Sequence, residues 1–197
     1  MLNLPYHIIL ASNSPRRKEL LAGLDLEFTV RTVGGIDEGY PSGLNGEQIA
    51  LHIATNKAGA YLATLADDEL VITADTIVYS EGNGQNPMVL GKPADAEDAC
   101  RMLKVLSGHT HQVITGVCLV TKNVLKTFAV TSDVTFTDLT DEEISYYVNK
   151  YRPFDKAGAY GIQEWIGYVG VSRIEGSYFN VMGLPVQRLY QELKSFQ

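Results

Sequence analysis

Apolar and polar positions change period several times along the chain, and each change marks an element. Residues 6–12, YHIILAS, form a short apolar run between polar turn residues and predict a strand. A helix follows, with Ser14 as N-cap, Pro15 at its first position and Leu20, Leu21 and Leu24 on one side. Residues 27–33, EFTVRTV, alternate and predict a second strand, and residues 34–46 read as a glycine-rich loop. Over 47–66, apolar residues recur at 50, 53, 54, 58, 61, 62 and 65, a helical stripe. Residues 69–82, ELVITADTIVYSEG, predict a strand, and GNGQN at 82–86 signals a hairpin. A helix over 95–108 has Asp95 as its cap and Gly108 as its stop. Residues 111–139 predict two long strands about a Lys122-Asn123 turn, and Thr140 with Glu143 has capping-box spacing for a helix over 140–151. Residues 154–163 read as a loop or short helix, 169–176 as a strand, 176–185 as a tight turn and 184–196 as a closing helix with Pro185 at its start. This order predicts an α/β fold with a mixed, twisted central sheet flanked by helices. With no repeat and no linker, residues 1–197 read as a single domain.

Composition narrows the picture. Hydrophobic residues make up 45% and charged residues 20%, the balance of an ordinary globular chain. The net charge of -7 argues against nucleic acid and anionic membranes as partners, and no apolar run is long enough to span a bilayer. The first basic residues follow the first apolar stretch, the reverse of a secretory signal, and Cys100 and Cys118 read as buried thiols rather than a metal or redox pair. A cytoplasmic protein is the expectation. His109 and His111 have no third His or Cys near them in sequence, which argues against zinc.

Four residue choices run against local preference. Arg16 and Arg17 stand in a first helical turn, where the helix dipole disfavours cations; they build an anion site or form a solvated basic turn. Asp75 interrupts the apolar strand VITADTIVY and needs a cation as partner, whether a metal or a structural ion pair. Lys57 falls beside the apolar stripe, where a lysine either snorkels or meets an anion. Lys92 is held extended by Pro93 and on its own reads as a surface lysine. Taken together with Glu38 in the glycine-rich loop, the set suggests a polyphosphate with a divalent metal, which needs few protein ligands. No Walker A or GxGxxG motif follows a strand, so the phosphate site is of another design.

In order along the chain, LASNSPRRKELL, DE at 37–38, NKA at 56–58, ADTIV at 74–78, GKP at 91–93, LSGHTHQVITGV at 106–117, DKAGAYGIQ at 155–163 and GSYFNVMGLP at 176–185 resemble the Maf family of nucleoside triphosphate pyrophosphatases. The resemblance covers nearly the whole chain. It implies two lobes around a cleft, in the fold shared with inosine triphosphate pyrophosphatases. It also implies cleavage of nucleoside triphosphates to monophosphate and pyrophosphate with a divalent cation, Mg²⁺ or Mn²⁺. By position, Ser12, Arg16, Arg17, Lys57 and Lys92 match the phosphate-binding set and Asp75 the general base, with Glu38 as a further acidic site residue; as the two carboxylates of the set, Asp75 and Glu38 are the candidate metal ligands. Arg16, Thr76 and Gln163 match positions tied to substrate choice, and DKAGAYGIQ resembles the dTTP/UTP branch. Glu164-Trp165 departs from the small residues expected there, and EGNGQNPM is long for its hairpin. The implied partner is the nucleotide, with a homodimer as a further expectation. A nucleotide-binding regulator of septation, with incidental hydrolysis, is the competing reading.

Overall fold

The computed structural model describes residue 2 and residues 4–80 and 87–197. In chain order it contains β1 (His7–Leu10), α1 (Pro15–Ala22), β2 (Phe28–Val30), α2 (Gly46–Gly59), β3 (Glu69–Ser80), β4 (Met88–Leu90) and α3 (Ala96–Leu106). There follow β5 (Thr110–Val120), β6 (Leu125–Phe136), α4 (Asp141–Tyr151), α5 (Trp165–Gly170), β7 (Val171–Glu175), α6 (Tyr178–Met182) and α7 (Val186–Leu193). The seven strands form one mixed sheet in the order β2-β1-β3-β5-β6-β7, with β4 paired to β3. β1 runs parallel to both β2 and β3, whereas β3–β4 and β6–β7 are antiparallel. An inner parallel strand is covered on both faces, which is why β1 reads as an unbroken apolar run rather than an alternation. The expected α/β fold with a mixed sheet is the one observed.

Two compact units divide the chain. The first comprises Met1–Asp75, Thr115–Val130 and Gly183–Gln197. Its core joins Ile9, Val71, Cys118 and Val120 from three strands to Ala54, Ala58, Tyr61 and Leu65. The small face of α2 lets this helix lie close to the sheet. A Cβ on Gly116 of β5 would stand 2.3 Å from the Ala50 carbonyl oxygen, and the buried Thr73 hydroxyl of β3 donates to the Ala54 carbonyl at 2.7 Å.

The second unit comprises Thr76–Ile114 and Thr131–Met182. Its core gathers Leu103 and Leu106 of α3, Tyr147 and Val148 of α4, Phe136 of β6, and Tyr160 and Ile162. Within it, His111 is 2% exposed, shares a 2.8 Å hydrogen bond between Nε2 and the Tyr160 hydroxyl, and meets the Phe136 ring edge to face. Its Nδ1 is buried with no hydrogen-bond partner, and burial pushes the ring's pKa down to about 3. His109 is exposed and precedes β5, whereas His111 is buried within it. The unfolded chain takes up a proton at this imidazole as pH falls below about 6.5, and the folded chain does not until near pH 3. Stability therefore drains away on acidification through that window, by up to about 1.4 kcal/mol per pH unit. Between pH 7.5 and 5.0 the wild type should lose about 2 kcal/mol more in urea unfolding than His111→Gln; equal losses would show that His111 is not the linked group.

Several sequence expectations are corrected. The helix expected over 47–66 stops at Gly59, because the stripe continues through a turn that still buries Tyr61 and Leu65. The Tyr61 hydroxyl bridges that turn to the segment after β2, donating to Arg31 O and accepting from Val33 N. The strand expected over 169–176 begins at Val171, since residues 165–170 form α5. The tight turn expected over 176–185 contains α6. Cys118 is buried and its thiol pKa is pushed up to about 12, but Cys100 is only half-buried. The hairpin signal at 82–86 lies outside the described residues, although the flanking strands pair as it requires, Val78 opposite Leu90. Among the described residues, no helix is long and apolar enough to cross a membrane.

Candidate active site

The first unit brings together most of the residues singled out above. Past the end of β1, Ala11 N donates to Ile72 O, so the chain continues beside β3 into Ser12. Ser12 is buried, and its hydroxyl accepts from Ser14 N at 3.2 Å. Ser14 caps α1 by accepting from Arg17 N, with Pro15 at the helix start as expected. The first turn holds no acidic residue to offset Arg16 and Arg17, both half-buried.

Arg17 turns its guanidinium onto the backbone. Nε donates to Gly183 O and Nη1 to Ala74 O, both at 2.8 Å. Ala74 immediately precedes Asp75, so this brace fixes the strand at the carboxylate. Burial lowers the Arg17 pKa from its ordinary value, Asp75 and Glu38 raise it, and Arg16 lowers it further. The reading of Arg17 as a phosphate clamp therefore gains a structural half: two of its donors hold backbone.

Register explains how Lys57 meets Asp75. Thr73 and Asp75 are two apart on β3 and share a face; Ala50, Ala54 and Lys57 are spaced four and three apart on α2 and share a face. The bond from Thr73 to Ala54 sets the two elements so that Lys57 lies over Asp75. Lys57 Nζ donates to Asp75 Oδ1 at 2.6 Å and also pairs with Glu38 Oε1 at 2.7 Å. Lys57 stands in the last turn of α2, where a cation suits the helix dipole. Both Lys57 and Asp75 expose 15% of their side chains, whereas Glu38 exposes 52%. Snorkelling is thus excluded for Lys57, and the cation that Asp75 needs is supplied.

Two carboxylates from separate elements converge on one ammonium, so the geometry suits a cation. A pair of carboxylates fits Mg²⁺ or Mn²⁺, which fill their remaining positions with water and phosphate oxygens. Among the described residues there is no cluster of three or more His, Cys, Asp or Glu, the pattern a zinc site would need.

The second unit holds the other expected residues. Thr76 follows Asp75 on β3 and is half-buried. Lys92 is exposed beside buried Pro93, and Gly91 O accepts from Gly158 N at 3.0 Å. Gln163 is half-buried, and its Oε1 is shielded from solvent without a hydrogen-bond partner. The Trp165 ring packs against Tyr146 of α4, centroids 4.9 Å apart, so its bulk is absorbed there.

Sequence reasoning missed a polar cluster beside Gln163, built on a buried lysine and a buried tyrosine. Lys156, 8% exposed, pairs with Asp155 at 2.7 Å and Glu164 at 3.1 Å. The fully buried Tyr147 donates to the other Glu164 oxygen and accepts from Gly161 N at 3.0 Å. Burial and then Glu164 push the Tyr147 pKa up, which keeps the hydroxyl a donor. The only signal in the sequence was the departure from small residues at Glu164.

Comparison with known proteins agrees with these observations. The family model described as Maf-like protein matches residues 7–196. The dTTP/UTP pyrophosphatase of Parabacteroides distasonis is 60% identical over 191 residues, covering 97% of this chain and 96% of its own. That of Phocaeicola vulgatus is 60% identical over 189 residues, covering 96% and 95%. A more distant relative of the same name, from Flavobacterium johnsoniae, is 46% identical over 188 residues, covering 95% and 94%. Matched by the family model over nearly its whole length, this chain belongs to the Maf-like protein family.

Proposed function

We propose that this protein hydrolyses dTTP and UTP to the nucleoside monophosphate and pyrophosphate. The observation that carries the reading is the Lys57 ammonium held between Asp75 and Glu38, beside the Arg17 guanidinium. Alternating cationic and carboxylate groups of this kind suit a polyphosphate and its counter-cation. The names of the full-length relatives supply the substrate.

In this reading a water oxygen bonds to the α-phosphorus while the bridging bond to the β-phosphate breaks, and its electron pair leaves with pyrophosphate. Asp75 orients that water and takes its proton. Lys57 releases its carboxylates and turns to the phosphates, with Ser12 and Arg16 as further donors and Arg17 adding its charge. Lys92 is proposed as another phosphate ligand. A divalent cation, usual in this family, would be held by Asp75 and Glu38, and when bound it offsets phosphate charge and lowers the pKa of water. Gln163 offers an acceptor and a donor to the imide edge of uracil or thymine; Arg16 and Thr76 complete the proposed specificity set.

The test incubates the protein with UTP or dTTP and Mg²⁺ or Mn²⁺ and resolves the products. Equimolar monophosphate and pyrophosphate are expected. Single phosphate as the product would overturn the cleavage site, and tight UTP binding without turnover would favour the regulator.

A further inference from the structure

Gly161–Ile162–Gln163–Glu164 is a turn tied at its ends more than once. Glu164 N donates to Gly161 O at 2.9 Å, which closes it. The Tyr147 hydroxyl touches both ends, accepting from Gly161 N and donating to Glu164. Lys156 holds the second Glu164 oxygen from the other side. A Cβ at Gly161 would stand 2.9 Å from the Glu164 carboxyl carbon and 3.0 Å from Lys156 Cε, so a side chain there would push against the clamp itself. Downstream, Gly167 N donates to Glu164 O at 2.9 Å, and a Cβ on Gly167 would fall 1.8 Å from Ile162 O. Gly161 and Glu164, the two ends of the turn, are held, yet the Gln163 carbonyl Oε1 has no partner of its own. A desolvated acceptor without a partner is disfavoured unless something else donates to it.

We propose that Glu164, clamped by Tyr147 and Lys156, is a positioning residue that aims the Gln163 amide at the imide N–H of a uracil or thymine base. This rests on the reading of Gln163 as the base-contacting residue. Uracil presents an N3–H donor to a fixed acceptor, whereas cytosine presents a bare N3, and two acceptors facing each other are mismatched. A site built to pair with a donor discriminates strongly against an analogue lacking it. Discrimination of that kind needs the acceptor held in place, and a buried tyrosine and lysine gripping a half-buried glutamate supply the hold. Asp155, the remaining charged group of the cluster, pairs with Lys156 and is itself largely exposed.

The experiment compares kcat and KM for UTP and CTP in the wild type, Gln163→Ala, Tyr147→Phe, Glu164→Ala and Glu164→Gln, with thermal unfolding of each. Tyr147→Phe and Glu164→Ala should lower the UTP:CTP ratio of kcat/KM at least tenfold, mainly by raising KM for UTP, with the CTP values little changed. Glu164→Gln, which keeps an acceptor for the clamp, should recover much of that ratio. If Gln163→Ala keeps the wild-type ratio, the base-contact reading fails and this proposal fails with it. If Gln163→Ala collapses the ratio but folded Tyr147→Phe and Glu164→Ala retain it, the positioning role alone is overturned. Equal losses on UTP and CTP would also overturn it, since general loosening of the fold does not choose between bases.

Discussion

Asp75→Asn should lower kcat for UTP by about a thousandfold, within the usual range for a positioned general base, while the protein stays folded. Asparagine has nearly the same shape and keeps an oxygen within reach of Lys57, so the 2.6 Å contact survives as a hydrogen bond to a neutral acceptor. What is lost is the negative charge and the ability to accept a proton from water. The cationic donors to the triphosphate remain, but one of the two proposed metal carboxylates is neutralised, so the Mg²⁺ or Mn²⁺ concentration needed for half-maximal rate should rise. The comparison is a kcat and KM determination beside urea unfolding. A variant with intact stability and wild-type turnover would remove Asp75 from the chemistry. A variant that unfolds would instead reveal the Lys57 pair as a structural ion pair, one of the readings the sequence left open.

Gly116→Ala is expected to destabilise the protein by about 3 kcal/mol, at the upper end for overpacking. The added methyl would stand 2.3 Å from Ala50 O, 2.4 Å from its carbonyl carbon and 2.6 Å from Leu51 N. All three are backbone atoms of a helix, which cannot turn aside as a side chain would. Relief comes only by lifting α2 off the sheet. That movement strains the bond from Thr73 to Ala54 and draws Lys57 away from Asp75. Activity should therefore fall even below the unfolding temperature, whereas a purely thermal effect would leave it normal in the cold. Chemical denaturation and rates at low temperature separate the two, and wild-type stability in the Gly116→Ala variant would refute the close-approach argument.

What the sequence made legible was local. Ser14 and Pro15 mark the start of α1 because a cap and its helix lie within one turn. The capping box of Thr140 and Glu143 is local for the same reason. Asp75 was conspicuous because a carboxylate inside an apolar strand violates burial by itself. The missed features depend on neighbours distant in sequence. Gly116 looks like any strand glycine until α2 is placed above it. Tyr147 and Glu164, seventeen residues apart, look like an ordinary helix tyrosine and an intrusive acid until they share a hydrogen bond. The segment WIGYVG carries β-branched residues and two glycines, a poor helix composition, yet Gly167 fits under Ile162 O only because it is a glycine and α5 forms there. Arg17 was read by the dipole it offends, whereas two of its donors answer backbone carbonyls.

Those two carbonyls also set an order of events. The Arg17 tie to Ala74 closes a loop of 57 residues, and the tie to Gly183 closes one of 166. The longer closure carries about 1 kcal/mol more chain entropy by simple loop scaling, and it must wait until residue 183 has been synthesised. The pocket of charge around Asp75 is therefore complete only late in the life of the nascent chain. Until then, the Arg17 guanidinium lacks the Gly183 carbonyl to which its Nε donates.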